Sequence, residues 1–228
     1  MLPRPALTAL LLVAGLCLPA SADALLEKAR AASKEGPAYL FDMVFDDGGQ
    51  RLTLTVDQAR PENDRVVAMT PELSKLSGEV AKRAERLKKE TKGDIWCQEF
   101  TESIPASAKR VSETASTATY HFTPLPGDDK NMRDVVKYLT GTATLDKATG
   151  NVLAYELSAP KAFKPAMVAK VDRFNMKVAC KAAPDGRSHV DTFSLEVSGN
   201  AMMQAFRQSE TRKVSNLKAA PQSGYGAP

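Results

Sequence analysis

Residues 138–157, with the sequence YLTGTATLDKATGNVLAYEL, decide the fold because apolar and polar side chains alternate along two tracts that are separated by a turn. Alternation of this kind predicts strands that bury one face. Asp146 to Gly150 contains turn-forming residues, so the two tracts are predicted to form a β-hairpin. The residues predicted to face the core are Leu139, Gly141, Ala143 and Leu145 in the first strand and Leu153, Tyr155 and Leu157 in the second.

The same alternation continues toward the C terminus and predicts further antiparallel strands. A long strand is predicted from Met167 to Cys180, followed by a turn at residues 184–186. Apolar residues occupy odd-numbered positions up to Val171 but even-numbered positions from Phe174 onward. One extra residue at Asp172 and Arg173 would explain this change, so we predict a β-bulge there. The strand after the turn is predicted to place Phe193, Leu195 and Val197 on one face.

The N-terminal half is predicted to combine helices with shorter hairpins. Asp23 to Lys34 carries leucines and alanines on one side, which predicts a short amphipathic helix. Residues 70–92 carry a narrow apolar stripe and predict a second helix, whose charged face is either simply solvated or contacts anionic lipid or an acidic partner. Strand patterns occupy residues 39–45, 52–56, 65–70, 109–114 and 117–123, and residues 132–139 indicate a further short helix.

The N terminus has the pattern of an export signal. The apolar run from Leu7 to Leu18 has 12 residues, too few to cross roughly 30 Å of hydrocarbon as a helix, and Ala20-Ser21-Ala22 is a small-residue cleavage pattern. We therefore predict a signal peptide at residues 1–22, cleaved after Ala22, and a periplasmic protein. Lipidation at Cys17 is the alternative, which the bulky Leu16 disfavours.

Composition after cleavage indicates one globular unit without affinity for nucleic acid. The 228 residues less the 22 of the signal leave 206, which we assign to a single domain at residues 23–215 and a disordered tail at 216–228. Loss of Arg4 lowers the formal net charge from +4 to +3, and no basic stripe with interleaved aromatic residues is present. No second apolar run approaches membrane length, so no transmembrane segment is expected after cleavage.

Two cysteines, Cys97 and Cys180, remain after cleavage, in a compartment where disulfides persist. A bridge between them would close a loop of about 84 residues, and we favour it over the alternative of two buried free thiols. Neither cysteine has a Cys or His at ligand spacing, and His121 and His189 are far apart in the sequence, so no metal site is predicted. Trp96 is predicted to anchor the surrounding loop to the core.

Signatures of catalysis are missing from the sequence. A nucleophile needs a base within reach, and a phosphate-binding loop needs glycines at a helix start. The chain has no G-x-S-x-G, H-E-x-x-H or G-x-x-x-x-G-K motif. The carboxylate pairs Asp46-Asp47 and Asp128-Asp129 occupy turn positions, where aspartate bonds the local backbone. A glycosidase-like pair of acids is the remote alternative, and an enzyme ranks third among the functions that we consider. We do not expect an enzyme.

The order of the predicted elements resembles a known superfamily. An exported N terminus, a short helix, aromatic-rich hairpins, an amphipathic helix and a long meander with the hairpin LDKATGNV at residues 145–152 follow one another. This order is similar to the periplasmic lipoprotein carriers and their relatives, the LolA, LolB and RseB-like proteins, over most of residues 23–215. The resemblance implies an α+β fold with a strongly curved, half-barrel-like antiparallel sheet, helices covering its open face, an apolar cavity and no cofactor.

An antiparallel sheet with one apolar face must cover that face with helices, a second sheet or a ligand. We therefore expect a periplasmic carrier or binder of a lipid-like or acylated molecule, with another envelope protein as a further partner. The alternative is a non-enzymatic envelope interaction or sensor protein with a fully packed core. The candidate ligand-binding residues are Tyr39, Phe41, Met43, Phe45, Leu52, Leu54, Val56, Tyr120, Phe122, Leu153, Tyr155, Leu157, Phe193, Leu195 and Val197.

Overall fold

The structure is a computed structural model that describes residues 23–32, 34–127 and 133–220. Its α-helices are α1 (Ala24–Ala31) and α2 (Gly78–Glu90), and short 3₁₀ helices occur at Glu62–Asp64, Leu73–Lys75, Cys97–Ser103 and Val136–Tyr138. The strands are β1 (Tyr39–Asp46), β2 (Arg51–Asp57), β3 (Val66–Thr70), β4 (Lys109–Glu113), β5 (Thr117–Phe122), β6 (Thr140–Asp146), β7 (Val152–Ser158), β8 (Phe163–Ala166), β9 (Ala169–Ala182), β10 (Ser188–Ala201) and β11 (Gln204–Ala219).

The eleven strands in the described part of the chain belong to one antiparallel sheet that does not close on itself. The strand order is β3-β2-β1-β11-β10-β9-β7-β6-β5-β4, and β8 pairs with β9 beside the main path. The N-terminal hairpin therefore joins the C-terminal strand, because β1 pairs with β11. The expected α+β class with an antiparallel sheet is confirmed at this level.

One face of the sheet, which we call the apolar face, carries two hydrophobic clusters. The first lies under α1 and residues 97–104 and contains side chains of β5 to β10, such as Tyr120 and Tyr155. The second combines β1, β2 and β3 with Ile95 and is flanked by Leu87 of α2. Both helices therefore bury their apolar stripes on the same side of the sheet.

A charged pair separates the two clusters. Arg212 of β11 is the cross-strand neighbour of Phe45 on one side and of Phe193 on the other. Its guanidinium carbon lies 5.9 Å from the Phe45 ring centre and 5.4 Å from the Phe193 ring centre. Glu210 pairs with Arg212 at 2.5 Å, so this half-buried cation is both stacked and neutralised.

Helix ends follow local signals. Asp23 caps α1 by accepting a hydrogen bond from the Leu25 amide at 3.0 Å, and the helix ends at Ala31, three residues before the predicted Lys34. The predicted helix at residues 70–92 is interrupted: a 3₁₀ turn precedes α2, which begins only at Gly78. Gly78 has a φ of +59°, which breaks the helical path between the two segments.

Several bulges or irregularities set the register of the meander, and two of them lie at residues whose side-chain direction was predicted. The bulge predicted at Asp172 is confirmed, because Ser198 pairs with Arg173 and Gly199 with Val171, leaving Asp172 without a partner in this register. A second bulge was not predicted.

That second bulge lies between β6 and β7. Leu145 pairs with Val152 while Thr144 pairs with Ala154, so the extra residue is Leu153. Val152 takes the core position that was predicted for Leu153, and Leu153 is half-buried. The predicted core role of Leu153 was therefore wrong, because the bulge shifts the alternation by one position.

The C-terminal boundaries also differ from those predicted. The long strand begins at Ala169 rather than Met167, since Met167 and Val168 form the loop between β8 and β9. β11 continues to Ala219, so the domain boundary at 215 was placed too early and residues 216–219 are strand rather than tail. Residues 221–228 of the predicted tail, the signal peptide at 1–22 and residue 132 of the predicted short helix lie outside the described residues.

Beyond the main sheet, β8, β9, β10 and β11 continue as a four-stranded extension, defined here as residues 163–174 and 196–210. β7 pairs with β9 only as far as Asn175, and β1 pairs with β11 only from Thr211, so the extension has neither neighbour. Gly199 allows the strands to approach, because a Cβ there would collide with the carbonyl oxygen of Lys170.

Candidate functional site

The structure places most of the predicted ligand-binding residues in the packed core of the apolar face. Eleven of the fifteen are no more than 7% exposed, and the other four are half-buried. Side chains this enclosed contact protein atoms on all sides, which is typical of core packing rather than of an open cavity wall. The eleven buried residues are Tyr39, Phe41, Met43, Phe45, Leu52, Leu54, Val56, Tyr120, Phe122, Tyr155 and Leu157, and the half-buried ones are Leu153, Phe193, Leu195 and Val197.

A cavity of about 700 Å³ lies instead on the opposite face of the sheet, which we call the second face. Its lining residues belong to seven strands that are adjacent in the sheet, in the order β2, β1, β11, β10, β9, β7 and β6. The lining residues are Val44, Asp46, Arg51, Thr142, Thr144, Ala154, Tyr155, Glu156, Lys177, Val178, Ala179, Thr192, Phe193, Ser194, Thr211, Arg212 and Lys213.

Strand alternation shows which of these side chains face the cavity. The four that belong to the apolar face, Tyr155, Val178, Phe193 and Arg212, each lie in sequence between two other lining residues. They therefore contribute backbone atoms, since successive side chains of a strand point to opposite faces. Tyr155 and Phe193 are the only predicted ligand-binding residues in the lining, and both contribute backbone atoms rather than side chains.

The floor of the cavity is formed by small and apolar side chains. One row of cross-strand neighbours forms this floor. In order across β1, β11, β10, β9 and β7, the row consists of Val44, Lys213, Thr192, Ala179 and Ala154. Most other side chains in the lining are longer and polar, so alanine and valine leave room above the sheet. A floor of this kind presents methyl groups to a bound molecule.

Charged side chains surround this floor. Lys177 pairs with Glu156 at 3.4 Å at one side of the cavity, and Asp46 accepts a hydrogen bond from the Gly48 amide at 2.8 Å at the other. Arg51 and Lys213 have no ion-pair partner within the described part of the chain. The cavity therefore has small apolar side chains on its floor, and Arg51, Lys213 and the carboxylate of Asp46 lie at the end formed by β1, β2 and β11.

The sequence contained a signal for this cavity that our prediction did not use. Val44, Ala154 and Ala179 occupy positions at which the strand alternation calls for polar residues. Taken singly, an apolar residue on a solvated face is ordinary. Only the pairing of the strands shows that Ala154 and Ala179 are direct cross-strand neighbours.

The predicted disulfide is present. Cys97 and Cys180 are bonded, with their Cα atoms 6.4 Å apart, and the bridge attaches the 3₁₀ segment Cys97–Ser103 to β9. Trp96, next to it, packs edge-on against Tyr39 with ring centres 5.8 Å apart. The guanidinium carbon of Arg187 lies 3.6 Å from the centre of the Trp96 ring, so the loop is held by a stacked cation as well as by the bridge.

The described residues contain neither a cluster of metal-ligating side chains nor a helix long and apolar enough to cross a membrane. His189 lies in an isolated bridge with Trp96, and its ring shares a 2.9 Å hydrogen bond with the Val190 carbonyl, while His121 is exposed on β5. In comparisons with family models, curated proteins and solved structures, nothing matches this chain.

Proposed function

We propose that this protein carries or binds a lipid-like or acylated molecule, and that the ligand lies in the cavity on the second face of the sheet. The observation that carries the proposal is a cavity of about 700 Å³ with an apolar floor. At one end lie Arg51 and Lys213, which form no ion pair with any described residue, beside a single carboxylate, Asp46. Cavities of small-molecule sites have volumes of roughly 300–1,000 Å³. An elongated molecule with an apolar body and an anionic head matches this arrangement.

Strong curvature of the sheet is part of this proposal. Six strand spacings of about 4.8 Å, roughly 29 Å in all, would separate β2 from β6 on a flat sheet. Arg51 of β2 and Thr142 of β6 nevertheless line the same cavity. Curvature that makes the second face concave would bring these strands together, and we infer that the sheet is bent in this sense. This bend is opposite to that of the half-barrel implied by the resemblance, whose open face is the one that the helices cover.

Ligand binding on the second face does not require the core to open. The aromatic and aliphatic side chains of the apolar face remain packed, so stability and binding depend on different residues. The head group of the ligand would lie beside Arg51 and Lys213, while the acyl chain would cover Val44, Ala154 and Ala179. Burial of the chain supplies the affinity, and the two cations select an acid over a neutral lipid.

The periplasmic location is also proposed. The disulfide between Cys97 and Cys180 is compatible with an oxidising compartment outside the cytosol. Cleavage after Ala22 would make Asp23, the first described residue, the new N terminus. Intact-mass measurement of the exported protein tests this: an N terminus elsewhere, or an acylated Cys17, would contradict it.

The binding proposal is tested by titrating the mature protein with a fluorescent fatty acid. Val44→Trp should fill the floor and abolish binding, and the double variant Arg51→Gln/Lys213→Gln should weaken binding of the acid but not of its methyl ester. The matched control is Lys88→Gln/Lys89→Gln, which removes two charges from the exposed side of α2. Absence of binding to the unaltered protein would refute the proposal.

A second candidate function is a non-enzymatic envelope interaction or sensor protein. It is favoured by the burial of eleven of the fifteen predicted ligand residues, which leaves no apolar cavity among those side chains. The two functions differ in one outcome, because only the carrier binds the fluorescent acid with a dependence on Val44. If no acid or ester binds, the interaction protein is the better explanation.

A further inference from the structure

Two hairpin loops at the end of the four-stranded extension expose four apolar side chains side by side. Met167 and Val168 connect β8 to β9, and Met202 and Met203 connect β10 to β11. The loops are neighbours, since the Met202 amide donates a 2.9 Å hydrogen bond to the Val168 carbonyl. Met167 and Met203 are fully exposed, Met202 is 76% exposed and Val168 is 64% exposed. We call these four residues the methionine tip.

Turn chemistry does not explain these residues. Met202 and Met203 have φ angles of +48° and +66°, in the left-handed region that favours glycine and asparagine. A two-residue hairpin loop with both φ values positive is formed best by Asn-Gly. Two methionines therefore introduce backbone strain at a site where their side chains add almost no packing within this chain. Strain that the fold does not require is a mark of function.

Most of the charged residues near the methionine tip are basic. Residues 161–171 and 197–209 contain Lys161, Lys164, Lys170 and Arg207 and no aspartate or glutamate. The nearest acidic residues, Asp172 and Glu196, lie just outside these segments and pair with Lys170 at 2.5 Å and with Arg173 at 4.0 Å. Lys161, Lys164 and Arg207 have no ion-pair partner among the residues that the structure describes.

We propose that the methionine tip inserts into the head-group layer of an anionic lipid surface. Exposed apolar side chains at the end of a narrow extension reach a shallow depth, and basic side chains behind them bind lipid phosphates. The free cations decide between a lipid surface and a neutral apolar groove on another protein, because only the anionic surface neutralises them. Met167, Val168, Met202 and Met203 enter the layer, and Lys161, Lys164 and Arg207 contact its phosphates.

This surface is separate from the cavity on the second face. None of the four tip residues and none of the three cations lines that cavity. Lipid docking therefore does not depend on the proposed ligand. Failure of one proposal can be distinguished from failure of the other, since the fluorescent acid reports on the cavity alone.

Co-sedimentation of the mature protein with vesicles tests the docking. We expect binding to phosphatidylcholine vesicles that contain phosphatidylglycerol, weak binding to pure phosphatidylcholine, and loss of binding in high salt. Met202→Asn/Met203→Gly suits the positive φ angles, so it should fold and still reduce vesicle binding roughly tenfold or more. Its matched control is Val111→Ser, which removes an exposed apolar side chain from the edge strand β4.

The contribution of the basic side chains to lipid docking is tested with the double variant Lys164→Gln/Arg207→Gln. It should weaken binding to the anionic vesicles roughly tenfold. Lys88→Gln/Lys89→Gln on α2 is the matched control and should bind as the unaltered protein does. The proposal is overturned if the unaltered protein binds no vesicle, if it binds both vesicle types equally, or if the tip variant binds as tightly as the Val111→Ser control. Circular dichroism of each variant confirms that it is folded.

Discussion

The hydroxyl of Tyr120 donates a hydrogen bond of 2.9 Å to the carboxylate of Asp23, a residue 97 positions earlier in the chain. Arg110 donates to the same carboxylate at 2.9 and 3.0 Å, and Asp23 also caps α1. A single side chain thus joins the start of the described chain to β4 and β5. Burial alone would raise the pKa of Asp23, but these hydrogen bonds outweigh it and hold the pKa below the ordinary value of 3.8.

A lowered pKa in the folded protein makes this stabilisation pH-dependent. Because the folded protein binds the proton less tightly than the unfolded chain, the contribution is complete above about pH 4 and is lost as the pH falls through the folded pKa. Asp23→Ala should lower the free energy of unfolding by about 1 kcal/mol at pH 7, the usual cost of a lost N-cap. Urea unfolding at pH 7 and at a series of lower pH values checks this. The difference between the two proteins should shrink as the pH falls below about 4, and a difference that stays constant over the whole series would contradict the prediction.

Reduction of the Cys97–Cys180 bridge should destabilise the protein. The bridged residues are 83 positions apart, and freeing a loop of this length costs roughly 4 kcal/mol in the chain-entropy model. Cys97→Ala/Cys180→Ala should therefore melt at a lower temperature than the oxidised protein and be insensitive to dithiothreitol. Titration of the unreduced mature protein should find no free thiol; two free thiols would contradict the bridge.

Truncation of Phe41 or Leu54 should affect stability without affecting binding. Both side chains are fully buried in the second hydrophobic cluster, so replacing either with alanine should cost about 2–5 kcal/mol in unfolding free energy. Val67→Ala on the exposed edge strand β3 is the control and should cost less than about 0.5 kcal/mol. If Phe41→Ala or Leu54→Ala abolished binding of the fluorescent acid while remaining folded, the ligand would lie on the apolar face instead.

Gly199 should not tolerate a larger residue. A Cβ at this position would overlap the Lys170 carbonyl oxygen, which belongs to the backbone of a paired strand and cannot turn away. Gly199→Ala is expected to cost about 1–3 kcal/mol, a typical penalty for overpacking. Gly127→Ala is the matched control, because no atom of the described residues lies within 4 Å of its added Cβ. Equal stability of the two variants, measured by urea unfolding, would refute the predicted overlap.

Local chemistry was sufficient for the individual elements. Alternating side chains indicated the strands, Asp- and Gly-rich segments marked most of the turns, and the phase change at Asp172 identified the bulge that the register confirms. The turn at Met202 and Met203 was missed because methionine carries no turn signal. Leu153 was assigned to the core because nothing in the alternating sequence marks the bulge at this residue. The bulge nevertheless changes which side chains of β7 face the core.

The sequence by itself determined the antiparallel α+β class, the pair of cysteines free to bridge and the apolar face of each hairpin, because these depend on neighbours within a few residues. Only the tertiary structure decided that β11 pairs with β1 and that Val44, Ala154 and Ala179 share a cavity. Both depend on strand pairing between distant segments, and the same alternation is compatible with many strand orders. The free energy that selects one order comes from packing the whole apolar face, which no local pattern contains.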